Sequence, residues 1–537
     1  MSVPVQERPS LTAPVRVVRR RAPGWGVIAG PAALAAALGA VGLTGRSLGF
    51  DEGATVAIAS THGSALWSAI AHDGGNMSGY YLLIHVLIAA FGNGLAVLRL
   101  PSVLAVVATV ALVAAIADRM FGRTAAVIAG LLAAVSLPVV YWAQTARGYA
   151  PMLAFVCAGY LAFLELSDPA AQRPDRRAWI AYVVAMTLAM YCSFVALLVV
   201  PAQLLVLVQR QAALRRVGSA LVAVAVLSAP LAVLALRRGS GQLFWVQPPG
   251  RMVDTQVLGS LTSAGLQPSF HRSPTTYVLM WATVAAVAAL LVDTIRRRWR
   301  GETRWGMAVA LAWCVVPAAL TFLYSLVSQP IFVPRNLLLS TPAVGLVLAA
   351  AAGERRWPRY VAPALLVIVL AMRAVPVIAA YGVSPEPWQA VTARVLAQSR
   401  PGDCIAFYPQ DARMAFQYYV GTGPATRRAP RSILPAIRWG VVKPYVEDYA
   451  TLSGAQLARR TAGCRRMWFI SSHEGQPNGP AQARANRSQW LSLDSRLERR
   501  FGSGPQQKYG YASVIRVQLL PGPAHGARAS QGRNVKP

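Results

Sequence analysis

Between residues 25 and 380 the sequence is a succession of apolar stretches, most of them about as long as a membrane-crossing helix, which needs roughly 20 residues. Backbone polar groups inside a bilayer must be satisfied within their own segment, so such stretches form helices. Single spans are expected over about 25–44, 96–117, 123–142, 149–166, 217–236, 276–295, 306–327, 336–352 and 359–380. The stretch 179–208 is too long for one span and short for two, and reads as a tight pair turning near Cys192-Ser193. The fold class is therefore an α-helical polytopic membrane protein of about eleven spans.

Arginine orients the bundle. Clusters at Arg19–Arg21, Arg176-Arg177, Arg215-Arg216 and Arg296–Arg300 flank apolar stretches and face the cytoplasm by the positive-inside rule. The stretch Tyr80–Phe91 decides the register: at about a dozen residues it is too short to cross, and counting it as a span would place every later cluster outside. It is expected to lie in the interface. The net charge of +32 then records topology signals, with Lys only at positions 443, 508 and 536, and no nucleic-acid partner is expected. The chain divides into a cytoplasmic basic tail (1–23), a transmembrane domain (24–382) with an outer first loop (45–95), an extracytoplasmic α/β domain (383–520) and a disordered tail (521–537). The first helix is expected to stay uncleaved. In the α/β domain, strands are predicted at 404–408, 466–470 and 512–519, with helices at 411–420 and about 480–500. Cys404 and Cys464 are the cysteine pair of that domain and are disulfide candidates outside the membrane. Cys157, Cys192 and Cys314 lie in apolar runs as core residues.

Four groups fall on the expected outer face. Asp51 and Glu52 stand just beyond the first span; a carboxylate there serves as a base, orients a sugar hydroxyl, holds a metal, or simply caps the following helix. His72-Asp73-Gly74-Gly75-Asn76 precedes the interfacial helix, where His72 suits a phosphate or a metal and Asp73 either a ligand or a turn. Gln144-Thr145-Ala146-Arg147-Gly148-Tyr149 and Val333-Pro334-Arg335-Asn336 each set an arginine at the outer boundary, against the orientation bias. A lone arginine there snorkels to head groups; two beside carboxylate loops suit an anionic head group, since the guanidinium fork matches phosphate oxygens. Tyr80 and Tyr81 are interface aromatics, and no CxxC or His/Cys spacing suggests zinc.

The order of acidic first loop, Tyr80-Tyr81-Leu82-Leu83, Leu98-Arg99-Leu100-Pro101-Ser102 and Gln144–Ala150 resembles the GT-C glycosyltransferases that use lipid-linked sugars, closest to the protein mannosyltransferase and aminoarabinose transferase group (family 39/83-like), over roughly residues 25–350. The resemblance implies Asp51 as the residue that activates the acceptor hydroxyl, with Glu52 supporting it or meeting sugar hydroxyls. It implies a polyprenyl-phosphate donor held by Arg147, Arg335 and His72, and sugar or acceptor contacts from Asp73, Asn76, Tyr81, Gln144 and Tyr149. The partners would be that donor, membrane lipids and a glycan, lipid or protein acceptor, with mannose or a pentose transferred by inversion. A divalent metal is possible in such a site. The sequence departs from the family where relatives carry His-Pro-Pro before the tyrosines (here Asn76-Met77-Ser78-Gly79), and at Cys192-Ser193-Phe194. A transporter or flippase, or a scaffold displaying the C-terminal domain, is the competing class; the former asks for polar residues through the membrane midplane.

Overall fold

The computed structural model describes residues 24–169, 175–208, 210–239, 243, 245–263, 274–296, 301–354, 361–421, 425–444, 452–510 and 514–522. The tail expectations for 1–23 and 523–537 lie outside these residues. Helices α1 (Trp25–Ala40), α2 (Phe50–Ala59), α3 (Gly63–His72) and α4 (Ser78–Phe91) open the chain. α5 (Leu95–Phe121), α6 (Arg123–Ala134), α7 (Leu137–Ala143), α8 (Tyr149–Leu166) and α9 (Arg176–Cys192) follow. Then come α10 (Val200–Leu207), α11 (Gln211–Arg238), α12 (Arg251–Leu261), α13 (Pro274–Arg296), α14 (Gly301–Val327), α15 (Thr341–Glu354) and α16 (Val361–Tyr381). Among the described residues six helices are long and apolar enough to cross a membrane, or seven with one bent pair counted. The eleven expected spans exceed the larger number by four: α1, α9 and the 194–207 segment are shorter than a span, and α13 counts as apolar helix only over Thr276–Val292.

Two departures have local causes. The expected continuous span 123–142 is broken between α6 and α7, which meet at 60°. Pro138, in the first turn of α7, cannot donate a helical hydrogen bond. Arg373 of α16 answers the break by donating from Nη1 to the Leu132 carbonyl at 2.8 Å, and Ser136 shares a hydroxyl bond with Ser263 at 2.8 Å. The pair over 179–208 does turn at Ser193, whose backbone is extended, but the return is a 3₁₀ helix (Phe194–Val199) running into α10. α4 keeps Tyr80, Tyr81 and Ile84 inward and leaves Val86 and Phe91 exposed, as the one-sided face of a short apolar helix.

The C-terminal unit begins with α17 (Trp388–Gln398) and continues through β1 (Asp403–Tyr408), α18 (Ala412–Val420), α19 (Ala425–Arg428), β2 (Arg431–Leu434), α20 (Gly454–Arg460), β3 (Arg466–Ser471), α21 (Ala481–Phe501), β4 (Gln506–Tyr509) and β5 (Ile515–Leu520). The sheet order is β2-β1-β3-β5-β4, parallel across β2-β1-β3 and antiparallel beyond. β1 is buried on both faces, as a central parallel strand should be. The two strands that periodicity missed, β2 and β4, are four-residue edge strands, and Gln506-Gln507-Lys508 carries no apolar alternation. α21 buries Ala483, Asn486, Trp490, Leu493, Leu497 and Phe501, one stripe at helical spacing. Cys404 and Cys464 form a disulfide with Cα atoms 5.6 Å apart, tying β1 to the turn before β3.

This unit docks on the first loop. α18 lies against α2 so closely that a Cβ on Gly53 would stand 2.8 Å from the Ala415 nitrogen. The Leu48 N–H donates to the Tyr419 hydroxyl at 2.6 Å, and the Tyr418 hydroxyl donates to the Asn93 carbonyl at 2.9 Å.

Candidate active site

Asp51 and Glu52 share the first turn of α2 but meet different surroundings. Glu52 is buried: Arg99 grips it with Nε to Oε1 and Nη2 to Oε2, both at 2.9 Å. The Ala146 N–H adds a bond to Oε1 at 2.7 Å, and the Gly49 N–H one to Oε2 at 3.1 Å. Burial pushes this carboxyl up, but the charge and hydrogen bonds of Arg99, the Ala146 N–H and Arg46 outweigh it and hold it below the ordinary range. Both oxygens of Glu52 are thus occupied, and they bind the first loop to the loop that carries Arg147.

Asp51 keeps almost half of its side chain exposed. Arg335 Nη1 donates to Asp51 Oδ2 at 2.9 Å, and the Arg335 guanidinium lies 4.2 Å over the Trp245 ring. Arg147 is buried, with Nη1 3.3 Å from the Asp51 carbonyl, 3.3 Å from Thr55 Oγ1 and 3.4 Å from the Tyr81 hydroxyl. Its Nε has no hydrogen-bond partner among the described residues. Burial raises the Asp51 pKa, but Arg147, Arg335 and His473 more than offset it, so the carboxyl stays ionised below its usual range. The Tyr81 hydroxyl donates to Asp73 Oδ2 at 2.8 Å, linking Asp73 through Tyr81 to Arg147. Tyr149 packs at 4.5 Å on Trp142, and its hydroxyl lies in the field of Arg335. Asp51, Arg147, Arg335, Tyr81, Asp73 and Tyr149 therefore form one connected group.

The remaining candidates stand outside it. Gln144 donates from Nε2 to the carbonyls of Gly39 at 3.2 Å and Val41 at 2.6 Å and so caps the end of α1. Asn76 Oδ1 accepts from the Phe194 N–H at 3.3 Å and pins the turn after α9. Gly148 packs on that same turn: a Cβ there would lie 2.3 Å from the Cys192 carbonyl oxygen, so only glycine lets the Arg147 loop close. His72 is exposed at the end of α3, where burial and the Arg238 charge lower its pKa; its charged neighbour is Arg238, which is not one of the site's two arginines. Among the described residues no three His, Cys, Asp or Glu side chains converge as metal ligands. The donor set around Asp51, one carboxylate between two guanidiniums, does not fit a divalent cation.

Sequence reasoning passed over four residues. Arg99 also donates to the carbonyls of Leu43 at 2.8 Å and Arg46 at 3.0 Å, so it gathers the whole first loop. An arginine near the start of an apolar span was its signal. Arg46 donates to Gln144 O at 2.8 Å and stacks 4.2 Å over Tyr141. Glu386 accepts from the Phe50 N–H, and the His473 ring lies 4.6 Å from the Phe50 ring, tilted at 45°; both are far from Asp51 in sequence, and nothing local marked them.

The family model for dolichyl-phosphate-mannose-protein mannosyltransferases matches residues 78–235. A comparison with curated proteins finds no match. Among solved structures, ArnT from Cupriavidus metallidurans superposes with a TM-score of 0.54 in the apo state and 0.53 bound to undecaprenyl phosphate. Both comparisons are at 13% identity and cover 92% of this chain and 98% of that one. The archaeal oligosaccharyltransferase AglB from Archaeoglobus fulgidus, in complex with an inhibitory peptide and a dolichol-phosphate, gives 0.50 at 12% identity over 91% of this chain and 73% of that one. The chain has the GT-C fold of these membrane glycosyltransferases.

Proposed function

We propose that the protein moves a sugar from a polyprenyl-phosphate donor to an acceptor hydroxyl at the outer face of the membrane. The observation that carries the reading is a half-exposed carboxylate, Asp51, held ionised by two arginines at the end of the bundle where the C-terminal unit docks. The other buried charges near it, Arg46, Glu52 and Arg99, gather at the same end, as a surface reaction needs and a path across the midplane does not. The relatives bound to undecaprenyl phosphate and dolichol-phosphate support a lipid-linked donor.

In this mechanism the donor's phosphate meets Arg335 and Arg147, whose unpartnered Nε is one buried donor in reserve. The acceptor oxygen attacks the anomeric carbon as the bond from that carbon to the phosphate oxygen breaks. The acceptor proton passes to Asp51, and the phosphate leaves on the polyprenyl chain with its growing charge facing the guanidiniums. One displacement inverts the anomeric centre. A depressed pKa makes Asp51 a weak base but keeps it deprotonated near neutral pH, so it is ready to take the acceptor proton and relies on hydrogen-bond reach more than on basicity. Purified protein should release polyprenyl phosphate from one member of a panel of labelled polyprenyl-phosphate hexoses and pentoses, given a solubilised envelope glycan fraction. Product with retained anomeric configuration contradicts the single displacement.

A further inference from the structure

We propose that His473, carried by the C-terminal unit, is an acceptor-binding residue of the Asp51 site, holding the incoming hydroxyl compound by a hydrogen bond to its imidazole. The inference rests on the transferase reading above and adds the residue that meets the second substrate.

His473 follows β3 in a loop clamped from below. Ser471 Oγ donates to Glu474 Oε1 at 2.6 Å, and Glu474 pairs with Arg487 at 2.6 Å and Arg516 at 2.7 Å. Held this way, His473 adopts φ 51°, a left-handed conformation uncommon for a non-glycine residue. The consequence is where the ring lands. It lies 4.6 Å from the ring of Phe50, the residue next to Asp51, with Nε2 3.7 Å from Glu386 Oε1. Glu386 in turn accepts the Phe50 N–H through Oε2, so the histidine, the glutamate and the start of α2 are one unit. Nδ1 lies 3.2 Å from Ser472 Oγ. The imidazole remains about a third exposed and Asp51 about half, and His473 contributes to the field at Asp51.

The charged groups around Phe50 and Asp51 are thus of two chemically different kinds. Arg147 and Arg335 belong to the helical part and suit a phosphate. His473 with Glu386 is an imidazole–carboxylate pair, which offers both a donor and an acceptor and suits a neutral, hydroxyl-rich compound. A strained histidine fixed over the residue preceding the base is placed to orient a hydroxyl toward it.

The test measures initial rates with donor and acceptor varied in turn, the acceptor being the solubilised envelope glycan fraction titrated by sugar content. His473→Phe keeps the ring on Phe50 and removes both nitrogens. His473→Asn keeps a side chain that tolerates positive φ and guards against misfolding of the first variant. The expected result is an acceptor KM raised at least tenfold in His473→Phe with the donor KM within twofold of wild type. Unchanged acceptor KM in both variants overturns the inference. Donor and acceptor KM rising together, with a lowered melting temperature, also overturns it by assigning His473 a structural role. Wild-type protein that turns over no donor refutes the transferase reading itself, an outcome separate from any difference between wild type and the variants.

Discussion

The Glu52–Arg99 pair should be the electrostatic keystone of the first loop, and its removal should be costly. Both side chains are almost fully buried, and the bidentate contact is made at 2.9 Å on each arm. Arg99→Met would leave Glu52 as an uncompensated buried charge and take donors from the carbonyls of Leu43, Arg46 and Ser47. Breaking such a pair from one side costs about 3–5 kcal/mol, because desolvation of the remaining ion is no longer offset. Glu52→Gln keeps an acceptor for the Ala146 N–H but loses the charge, and should fall in the lower part of that range. The double variant should be less destabilised than the sum by about 1–3 kcal/mol, since the two residues share one interaction. Acid sharpens the test. The folded-state pKa of Glu52 lies below its ordinary value, so its stabilisation is complete above about pH 4.3 and is lost as pH falls through the folded pKa. Wild type should therefore lose more stability than Glu52→Gln between pH 6 and pH 3. Urea unfolding of the protein in detergent, followed by tryptophan fluorescence, reads all of this. An Arg99→Met variant within about 1 kcal/mol of wild type, or an equal acid loss in Glu52→Gln, would refute the reasoning.

Other outcomes follow from the same contacts. Gly53→Ala should loosen the C-terminal unit from α2, because its Cβ would meet the Ala415 backbone at 2.8–2.9 Å; a cost of about 1–3 kcal/mol and faster proteolysis between residues 382 and 403 are expected. Replacing Cys404 and Cys464 by serine opens a loop spanning 60 residues and should cost about 4 kcal/mol, read as a lowered unfolding midpoint of the C-terminal unit. Arg335→Lys keeps the charge but loses the fork and the stacking on Trp245, so the donor KM should rise about tenfold while the acceptor KM holds.

The parts of this molecule visible in sequence were those with a period or a local rule. Apolar length marked the long helices, and the shortness of Tyr80–Phe91 correctly separated α4 from them. Alternation found β1, β3 and β5 but not the polar edges. At the site, an arginine at the boundary was enough to mark Arg147 and Arg335. Residue type alone did not separate Asp51 from Glu52: one is half-exposed between guanidiniums and the other is sealed by Arg99, and that difference comes from a partner 47 residues away. That Gln144 caps the end of α1 had no sequence mark, because the carbonyls it meets lie about a hundred residues away. Glu386 and His473 were invisible because a fold, not a motif, carries them to Phe50.

The central claim is that Asp51 accepts the proton of the attacking hydroxyl. Its most direct test is single-turnover transfer by wild type and Asp51→Asn, with donor binding measured in parallel. Asparagine preserves size and a hydrogen-bond acceptor for Arg335 but takes no proton. The account predicts a rate lower by about 10²–10⁴ with donor affinity within a few-fold of wild type. Full transfer activity in Asp51→Asn would contradict it and move the base elsewhere in the site.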